Sequence, residues 1–319
     1  MVRVSRDKGD KGDKGDKGDK GDKEDEEIEV ITSKAPPTPP TPPSSPLPIT
    51  NYQLPITNYP ITMISIQDQI VLVTGASSGI GAACAKLFAQ AGAKLILAAR
   101  RKERLEEFAD QLGKEFSCET YLLQLDVRDR MAVESALQSL PEPWSNIDIL
   151  INNAGLSRGL DKLHEGDFQD WEEMIDTNIK GLLYLTRYIV PGMVSRGKGH
   201  VVNIGSIAGH QTYPGGNVYC ASKAAVRALS EGLKQDLLGT PVRVTSVDPG
   251  LVETEFSQVR FHGDSDRAKK VYQGLTPLTP DDVADVVFFC ATRPAHVNIS
   301  EVLLVPTDQA TATLVHRRN

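Results

Sequence analysis

The stretch IVLVTGASSGIG, from Ile70 to Gly81, joins an apolar run to a glycine-rich turn. The run Ile70–Thr74 predicts a buried strand, and the residues after Gly79 have helical character. Gly75 permits a tight turn, Gly79 lets a phosphate approach the backbone, and Gly81 lets the helix pack closely on the strand. The free N–H groups and positive dipole at the helix start suit a pyrophosphate. We therefore predict a dinucleotide-binding βα unit; the plainer alternative is an ordinary glycine-rich turn.

Outward from this unit, strand-like and helix-like segments alternate to the end of the chain. Six further β-rich runs are Lys94–Ala99, Tyr121–Leu125, Ile147–Ile151, His200–Ile204, Arg243–Val247 and Val302–Val305. Seven strands separated by amphipathic helices predict βαβ units and a parallel sheet covered on both faces. We expect one α/β domain over residues 63–319, a Rossmann-type doubly wound fold with a seven-stranded parallel sheet, and no second domain.

Residues 1–62 have a different composition. They hold Gly-Asp-Lys triplets, an acidic cluster, a proline tract and 10 of the 20 prolines. Such a segment cannot bury enough apolar surface to offset its ordering entropy, so we expect a disordered low-complexity tail. A collagen-like triple helix is the alternative, but the triplets are few and lack proline. Met63 stands just ahead of the first strand and is a candidate start of the protein.

Composition excludes several classes of function. The chain has 319 residues and a net charge of −7, which argues against a nucleic-acid-binding surface. No apolar run reaches the roughly 18 residues that a membrane span requires. The four cysteines and six histidines are scattered, without the spacing of a disulfide scaffold or a metal site. We expect a metal-free cytoplasmic protein whose partner is a small molecule, with no nucleic acid or membrane.

The end of the second strand bears on the choice of dinucleotide. An NAD site usually has an acidic residue there, which accepts from the ribose 2′-hydroxyl. This chain has Arg100 and Arg101 instead. Two guanidinium groups suit a 2′-phosphate, which they can grip by charge-assisted bonds. The sequence therefore favours NADP, although both arginines could instead be a solvated helix start.

A tyrosine and a lysine lie one helical turn apart, at Tyr219 and Lys223. They share a helix face, and a cation beside a tyrosine lowers the pKa of the phenol. Ser206 precedes the tyrosine by 13 residues and follows a strand, and Asn178 lies further upstream. Chance agreement of these residues in this order, after a glycine-rich loop, is remote.

This set of motifs resembles the short-chain dehydrogenase/reductase family over roughly residues 64–319. The resemblance extends to its NADP-dependent 3-hydroxy acid (serine or L-allo-threonine) dehydrogenases. The segments that carry the closer likeness include Trp171–Asn178, Gly215–Tyr219, Val259–Phe261 and Pro294–Ile299. The tail before Met63 has no counterpart in the family.

The resemblance implies a role for each catalytic residue. Tyr219 would be the acid–base, Ser206 would bond the substrate oxygen, Lys223 would hold the nicotinamide ribose, and Asn178 would position a water. Cofactor contacts are implied for Gly75, Ala76, Ser77, Ser78, Gly79, Ile80, Arg100, Arg101, Asp126, Val127, Asn153, Tyr219, Lys223, Pro249, Gly250, Leu251, Val252, Thr254 and Phe256. The resemblance also implies a homotetramer.

The expected substrate is a small 3-hydroxy acid such as serine, L-allo-threonine or 3-hydroxypropionate, converted to its 3-oxo acid or semialdehyde. Ser206 and Tyr219 would bind its hydroxyl. Arg260, in a segment that resembles the family's substrate lid, is our first candidate for its carboxylate, ahead of Arg158 and His210. The alternatives are a 3-oxoacyl-thioester or other ketone reductase, and a dinucleotide sensor without catalysis.

Overall fold

Seven parallel strands form one sheet in the computed structural model, which describes residues 63–318. They are β1 (Ile70–Thr74), β2 (Lys94–Ala99), β3 (Thr120–Gln124), β4 (Ile149–Asn152), β5 (Gly199–Ile204), β6 (Val242–Pro249) and β7 (Glu301–Leu304). Their order across the sheet is β3-β2-β1-β4-β5-β6-β7, and every pair is parallel. The predicted Rossmann-type sheet is confirmed.

Helices connect the strands and cover both faces of the sheet. They are α1 (Gly79–Gln90), α2 (Lys102–Phe116), α3 (Arg130–Gln138), α4 (Phe168–Ile175), α5 (Leu182–Arg196), α6 (Asn217–Asp236), α7 (Phe256–Arg260), α8 (Ser265–Tyr272) and α9 (Pro280–Ala291). A π-helical turn, Asp176–Gly181, joins α4 to α5, and a 3-10 turn, Ile207–Gly209, follows β5. None of the helices within residues 63–318 combines the length and apolar content needed to cross a bilayer.

Alternating side chains of the central strands enter two separate apolar cores. In β1, Val71 and Val73 face a core that includes Phe88 of α1, whereas Ile70 and Leu72 face the other core. All five residues of this strand are buried. A strand that is covered on both faces has no polar side, which is why the sequence shows an unbroken apolar run there.

The sheet order places a crevice at the carboxyl ends of the strands. The chain moves outward from β1 to β2 and β3, then returns to β4 on the opposite side of β1. At such a reversal the connections diverge and leave a crevice that binds ligands in open α/β sheets. Gly75, Asn153 and Gly205 follow β1, β4 and β5 directly. The residues with predicted functions therefore meet at one edge of the sheet.

The tail predicted for residues 1–62 lies outside the described residues. Its disorder, and the domain boundary at Met63, remain predictions.

Candidate active site

A cleft of about 570 Å³ lies over the carboxyl ends of β1, β4, β5 and β6. One wall is the glycine loop, Gly75–Gly81, and the opposite wall is the lid segment, Leu251–Leu278, which contains α7 and α8. The cleft is lined by the predicted residues Gly75, Ser77, Ser78, Gly79, Ile80, Arg100, Arg101, Asp126, Val127, Asn153, Ser206, Tyr219, Lys223, Pro249, Gly250, Leu251, Val252, Thr254, Phe256 and Arg260. Ala76 and Asn178 are the two predicted residues that do not line it.

The glycine loop needs each of its three glycines. Gly75 and Gly79 have φ angles of +65° and +55°, which side chains strongly disfavour. At Gly81, a Cβ would lie 2.4 Å from the carbonyl oxygen of Gly75. Ser78 stands at the N-terminus of α1, and its side chain makes no capping bond to that helix. The first N–H groups of α1 are therefore available to a phosphate.

Ala76 does not contact the cleft through its side chain. It is fully buried in the core beneath the loop. Its backbone N–H donates to the carbonyl of Ala98 at 3.3 Å. The loop turns this side chain toward the sheet, and the cofactor contact predicted for Ala76 stays a prediction that only its backbone could fulfil.

Asn153 anchors the loop to the neighbouring strand. Its Nδ2 donates to the carbonyl of Thr74 at 2.8 Å, and the backbone N–H groups of Asn153 and Ala154 donate to Thr74 Oγ1 at 3.0 and 2.9 Å. The end of β1 is thus bound to the end of β4. Asn153 reaches the cleft, as predicted, and also determines the position of the loop.

The adenosine end of the cleft carries the two predicted arginines. Arg100 has an exposed side chain, whereas Arg101 Nη2 donates to the hydroxyls of Ser77 and Ser78 at 3.1 and 2.9 Å. Asp126, predicted to contact adenine, forms a 2.7 Å ion pair with Arg128. With the glycine loop, these groups could hold an adenine dinucleotide that carries a 2′-phosphate. The site holds the two cations such a phosphate needs, and no carboxylate follows directly on β2.

The reaction centre is built on the first turns of α6. Tyr219 and Lys223 are both buried, and Lys223 Nζ donates to the carbonyl of Ile204 at 2.8 Å. Ser206 follows β5, and its hydroxyl acts to lower the pKa of the Tyr219 phenol. The same hydroxyl accepts from the N–H of Ala208 at 3.1 Å, which fixes its direction. All three side chains line the same cleft, and their catalytic roles stay predictions.

Burial dominates the protonation of this centre. It lowers the pKa of Lys223 to about 8, although the carboxylate of Asp248 acts in the opposite direction. Burial also raises the pKa of Tyr219, and the Arg260 guanidinium is the main charge that opposes the rise. We expected Lys223 to lower the pKa of Tyr219; the cation that does so in this structure is Arg260. Lys223 is instead directed toward the end of β5.

Asn178 lies in the π-helical turn behind the reaction centre. Its Oδ1 accepts from the N–H of Leu156 at 2.8 Å, and its Nδ2 donates to the Leu156 carbonyl at 2.8 Å and to Ser222 Oγ at 2.9 Å. A Cβ at Gly155 would lie 3.3 Å from Asn178 Oδ1 and 3.4 Å from Lys223 Nζ. Both side chains therefore flank Gly155, but the Asn178 amide is already engaged by protein groups.

Arg260 occupies the lid side of the reaction centre. Its Nε donates to Ser157 Oγ and its Nη2 to Tyr213 Oη, each at 3.1 Å. The guanidinium lies 5.2 Å from the ring centroid of Tyr219 and 5.0 Å from that of Phe256. Within residues 63–318, no carboxylate pairs with it, so two neutral hydroxyls hold a cation that remains free to bind an anion.

The other carboxylate-binding candidates are engaged elsewhere. Arg158 forms a 2.7 Å ion pair with Glu173, and His210 lies 2.8 Å from the buried carboxylate of Asp248. Neither residue lines the cleft. Sequence reasoning missed Ser157 and Tyr213, since neither belongs to a recognised motif and only the folded lid brings them to Arg260.

One side-chain group of the described chain has the donor set of a metal site. His210, Asp248 and Glu301 offer ligand atoms that lie within 4.8 Å of one another. However, Arg227 Nε lies 2.7 Å from Glu301, and Ser246 Oγ donates to Asp248 at 2.7 Å. Protein groups thus already satisfy both carboxylates, which is the arrangement of a charge network.

Comparison with known proteins gives consistent matches. Residues 69–264 match the short chain dehydrogenase family. An NADP-dependent 3-hydroxy acid dehydrogenase of Escherichia coli (strain K12) is 53% identical over 251 residues, 78% of this chain and 100% of that protein. The enzyme of the same name from Schizosaccharomyces pombe is 44% identical over 257 residues, 80% of this chain and 99% of that protein. Among solved structures, the closed form of serine dehydrogenase complexed with NADP⁺ is 53% identical with a TM-score of 0.74, and the match covers 78% of this chain and 100% of that chain.

Proposed function

The chain belongs to the short-chain dehydrogenase family, and we propose that it interconverts a small 3-hydroxy acid and the corresponding 3-oxo acid or semialdehyde with NADP. Serine, L-allo-threonine and 3-hydroxypropionate represent the substrate class. Two relatives named above are NADP-dependent 3-hydroxy acid dehydrogenases, and the similar solved structure is a serine dehydrogenase with NADP⁺. These names support the proposal because the similarity spans the whole length of those proteins.

NADP is the cofactor, and the cleft has groups for its phosphates, for the ribose next to the nicotinamide and for the carboxamide. The glycine loop and the first N–H groups of α1 receive the pyrophosphate. Arg100 and Arg101 receive the 2′-phosphate through charge-assisted bonds. Lys223 holds the ribose next to the nicotinamide, and Thr254 of the lid segment bonds the carboxamide.

The observation that carries the substrate class is Arg260. A partly buried guanidinium without an anionic partner is costly unless a ligand supplies the charge. It stacks beside the Tyr219 ring, within 5.2 Å of the ring centroid. In a 3-hydroxy acid, one carbon atom separates the carboxylate from the hydroxyl-bearing carbon. A carboxylate bound to Arg260 therefore leaves the hydroxyl close to the Tyr219 phenol.

The reaction then needs a single proton acceptor at the hydroxyl. A bound nicotinamide accepts or supplies the hydride. Tyr219 removes the hydroxyl proton in oxidation and returns it in reduction, while Ser206 hydrogen-bonds the substrate oxygen. Arg260 favours the phenolate of Tyr219, since it opposes the rise in pKa that burial imposes. No metal ion is needed for these steps.

The proton that Tyr219 gives up or takes is replaced from solvent by way of Lys223. With a pKa of about 8, Lys223 can release a proton near neutral pH. Asn178 and Lys223 flank Gly155, and the side-chain amide of Asn178 is held by Leu156 and Ser222. A water that links Lys223 to solvent would therefore bond a main-chain oxygen of the π-helical turn. The role of Asn178 is to hold that turn in place.

The homotetramer and the cytoplasmic location remain proposals. Phe289 of α9 and Leu303 of the edge strand β7 are about half exposed, at 50% and 48%. Apolar side chains at a sheet edge are suited to contact with another copy of the chain. Light scattering coupled to size-exclusion chromatography measures the number of copies.

Steady-state kinetics with matched acids and esters test the substrate class. NADP⁺-linked oxidation of L-serine, L-allo-threonine and 3-hydroxypropionate is measured beside their methyl esters. We expect the acids to be the better substrates. Arg260→Gln should lower kcat/KM for the acids by about 10- to 100-fold, since charged hydrogen bonds contribute roughly 1.5–3 kcal/mol. The esters should lose less than the acids, because they lose only the effect of Arg260 on the Tyr219 phenol and not a carboxylate contact.

Arg267→Gln is the matched control. Arg267 lies in the same lid segment, stacks on Phe261 at 4.5 Å and does not line the cleft. Equal losses in the two variants would show a general effect on the lid. Better turnover of esters or simple ketones than of acids would move the assignment to a ketone or 3-oxoacyl-thioester reductase. Absence of turnover with every substrate would favour a dinucleotide sensor.

A further inference from the structure

Two arginines at the start of α2 bind one carboxylate of the lid segment. Glu255 Oε2 lies 2.9 Å from Arg101 Nη1, and Glu255 Oε1 lies 2.7 Å from Arg104 Nη1. The partners are 154 and 151 residues apart in the sequence. Glu255 lies between Thr254 and Phe256, two lid residues predicted to contact the cofactor. The ion pairs therefore connect the adenosine end of the cleft to the lid.

Arg101 has few donors left for a phosphate. Its Nη2 donates to the hydroxyls of Ser77 and Ser78 in the glycine loop, and its Nη1 is bound to Glu255. Arg101 and Glu255 both line the cleft, whereas Arg104 lies outside it. Glu255 thus occupies the side of Arg101 that a 2′-phosphate would need.

A carboxylate and a phosphate cannot share this position. Both are anions that bind guanidinium groups in the same fork geometry. Arg104 and Arg101 lower the pKa of Glu255, although burial opposes them, so its side chain is charged at neutral pH. A dianionic phosphate that approaches Arg101 would meet this negative charge at close range. It can bind only if Glu255 leaves Arg101.

We propose that Glu255 is a lid-borne competitor of the cofactor 2′-phosphate for Arg101, and that Arg104 receives the carboxylate when the phosphate binds. This inference rests on the proposed use of NADP and names a residue that sets the affinity for it. Glu255 contacts both arginines at once, so a small movement transfers it fully to Arg104. Phosphate binding thereby replaces the contact between Glu255 and Arg101 with a contact between Arg101 and the phosphate. The contact between Glu255 and Arg104 remains.

Binding of 2′,5′-ADP and 5′-AMP tests the competition without turnover. Calorimetry compares the parent protein with Glu255→Gln and with Glu253→Gln at moderate ionic strength. Glu253 is an exposed lid residue of the same charge that forms no ion pair within residues 63–318. We expect Glu255→Gln to bind 2′,5′-ADP about two- to fivefold more tightly, the range of an exposed ion pair. Binding of 5′-AMP, and both affinities of Glu253→Gln, should stay at the parent values.

A double-mutant cycle separates competition from a general charge effect. Arg104→Gln removes the alternative partner of Glu255, so it should weaken 2′,5′-ADP binding more in the parent than in the Glu255→Gln background. Because Glu255 is half-exposed, we expect the melting temperature of Glu255→Gln to be close to that of the parent.

The outcomes distinguish this inference from the proposed cofactor. Unchanged or weaker 2′,5′-ADP binding by Glu255→Gln would overturn the competition, even where the parent prefers 2′,5′-ADP to 5′-AMP. Equal tightening in Glu253→Gln would also overturn it, since the effect would then be net charge alone. A parent that binds both nucleotides equally would overturn the use of NADP and the competition together.

Discussion

The glycine loop and the lid segment face each other across the cleft, but different kinds of contact build them. In the glycine loop, φ angles and backbone approach determine the shape within a few residues of Gly75. In the lid segment, Arg260 and Glu255 depend on partners such as Ser157 and Arg101, which lie more than 100 residues away. The shape of the first region is encoded locally and Asn153 sets its position, whereas the contacts of the second exist only in the folded chain.

This difference bears on how each region responds to change. The loop and the reaction centre rest on buried strands and on α6, so substitutions there remove one chemical group from a rigid frame. The lid segment is joined to itself at its base, where the N–H of Leu278 donates to the carbonyl of Leu251 at 2.9 Å. Its other polar contacts to the cleft are partly exposed and can exchange. We expect large, specific losses in the first region and smaller shifts in the second.

The largest loss is expected at the reaction centre. Tyr219→Phe removes only the phenolic oxygen and should lower turnover by roughly 10²- to 10⁴-fold, the usual contribution of general acid–base catalysis. The dissociation constant for NADPH should stay near the parent value, because the ring still fills its buried position. Turnover and fluorescence-monitored NADPH binding are the measurements. Near-parent turnover would exclude Tyr219 as the acid–base.

A second effect concerns the pH dependence of the free energy of unfolding, which we attribute to Lys223. The pKa of Lys223 is lowered from 10.5 to about 8 by burial. Between these two pH values the unfolded chain binds a proton that the folded chain has released, so the free energy of unfolding should rise with pH through this window. The gain approaches ~3 kcal/mol, because each pKa unit corresponds to about 1.4 kcal/mol.

Lys223→Met provides the reference for that effect. It lacks the titrating group, so the unfolding free energy of the parent minus that of the variant should increase as pH rises from about 8 toward 10.5. Urea unfolding of the cofactor-free proteins at several pH values measures it. A difference that is constant over this range would contradict a lowered pKa for Lys223.

A smaller effect is expected at the adenosine end, where the two regions meet. Replacing Arg100 and Arg101 with Ala should raise the KM for NADP⁺ and leave that for NAD⁺ little changed, since only NADP⁺ carries the 2′-phosphate. Lys102→Ala is the matched control, because Lys102 begins α2 and pairs with Glu106 at 3.4 Å, away from the cleft. Equal use of both cofactors by the parent would contradict the assignment to NADP.

The smallest effect is expected for the segment before Met63. Deletion of residues 1–62 should leave kcat, KM and melting temperature unchanged within error, because the segment lacks the apolar content to pack stably. Full-length and shortened proteins are compared under the same conditions. A loss of activity or a lower melting temperature would show that the segment contributes to the working structure.

Much of the reaction centre could be predicted from local sequence. Tyr219 and Lys223 are one helical turn apart, so the helix alone places them on one face. Ser206 and Asn153 follow strands, and parallel strands bring their carboxyl ends to the same edge. Burial could not be predicted in this way, because it depends on every element packed around α6. That is why the pKa of Tyr219 is raised where the motif alone suggested that it is lowered.

Local sequence was sufficient to predict the seven-stranded parallel sheet, the glycine loop and the proposed catalytic side chains, because period, turn chemistry and short spacing act over a few residues. Which basic side chain is free to bind an anion depends instead on the folded chain. Arg158, His210 and Arg260 are all basic residues that could pair with a carboxylate, but Glu173 and Asp248 bind the first two, and neutral hydroxyls hold the third. Likewise, nothing near Arg101 in the sequence indicated Glu255. Pairing of charges depends on distances of a few ångströms between residues far apart in the chain, and only folding determines those distances.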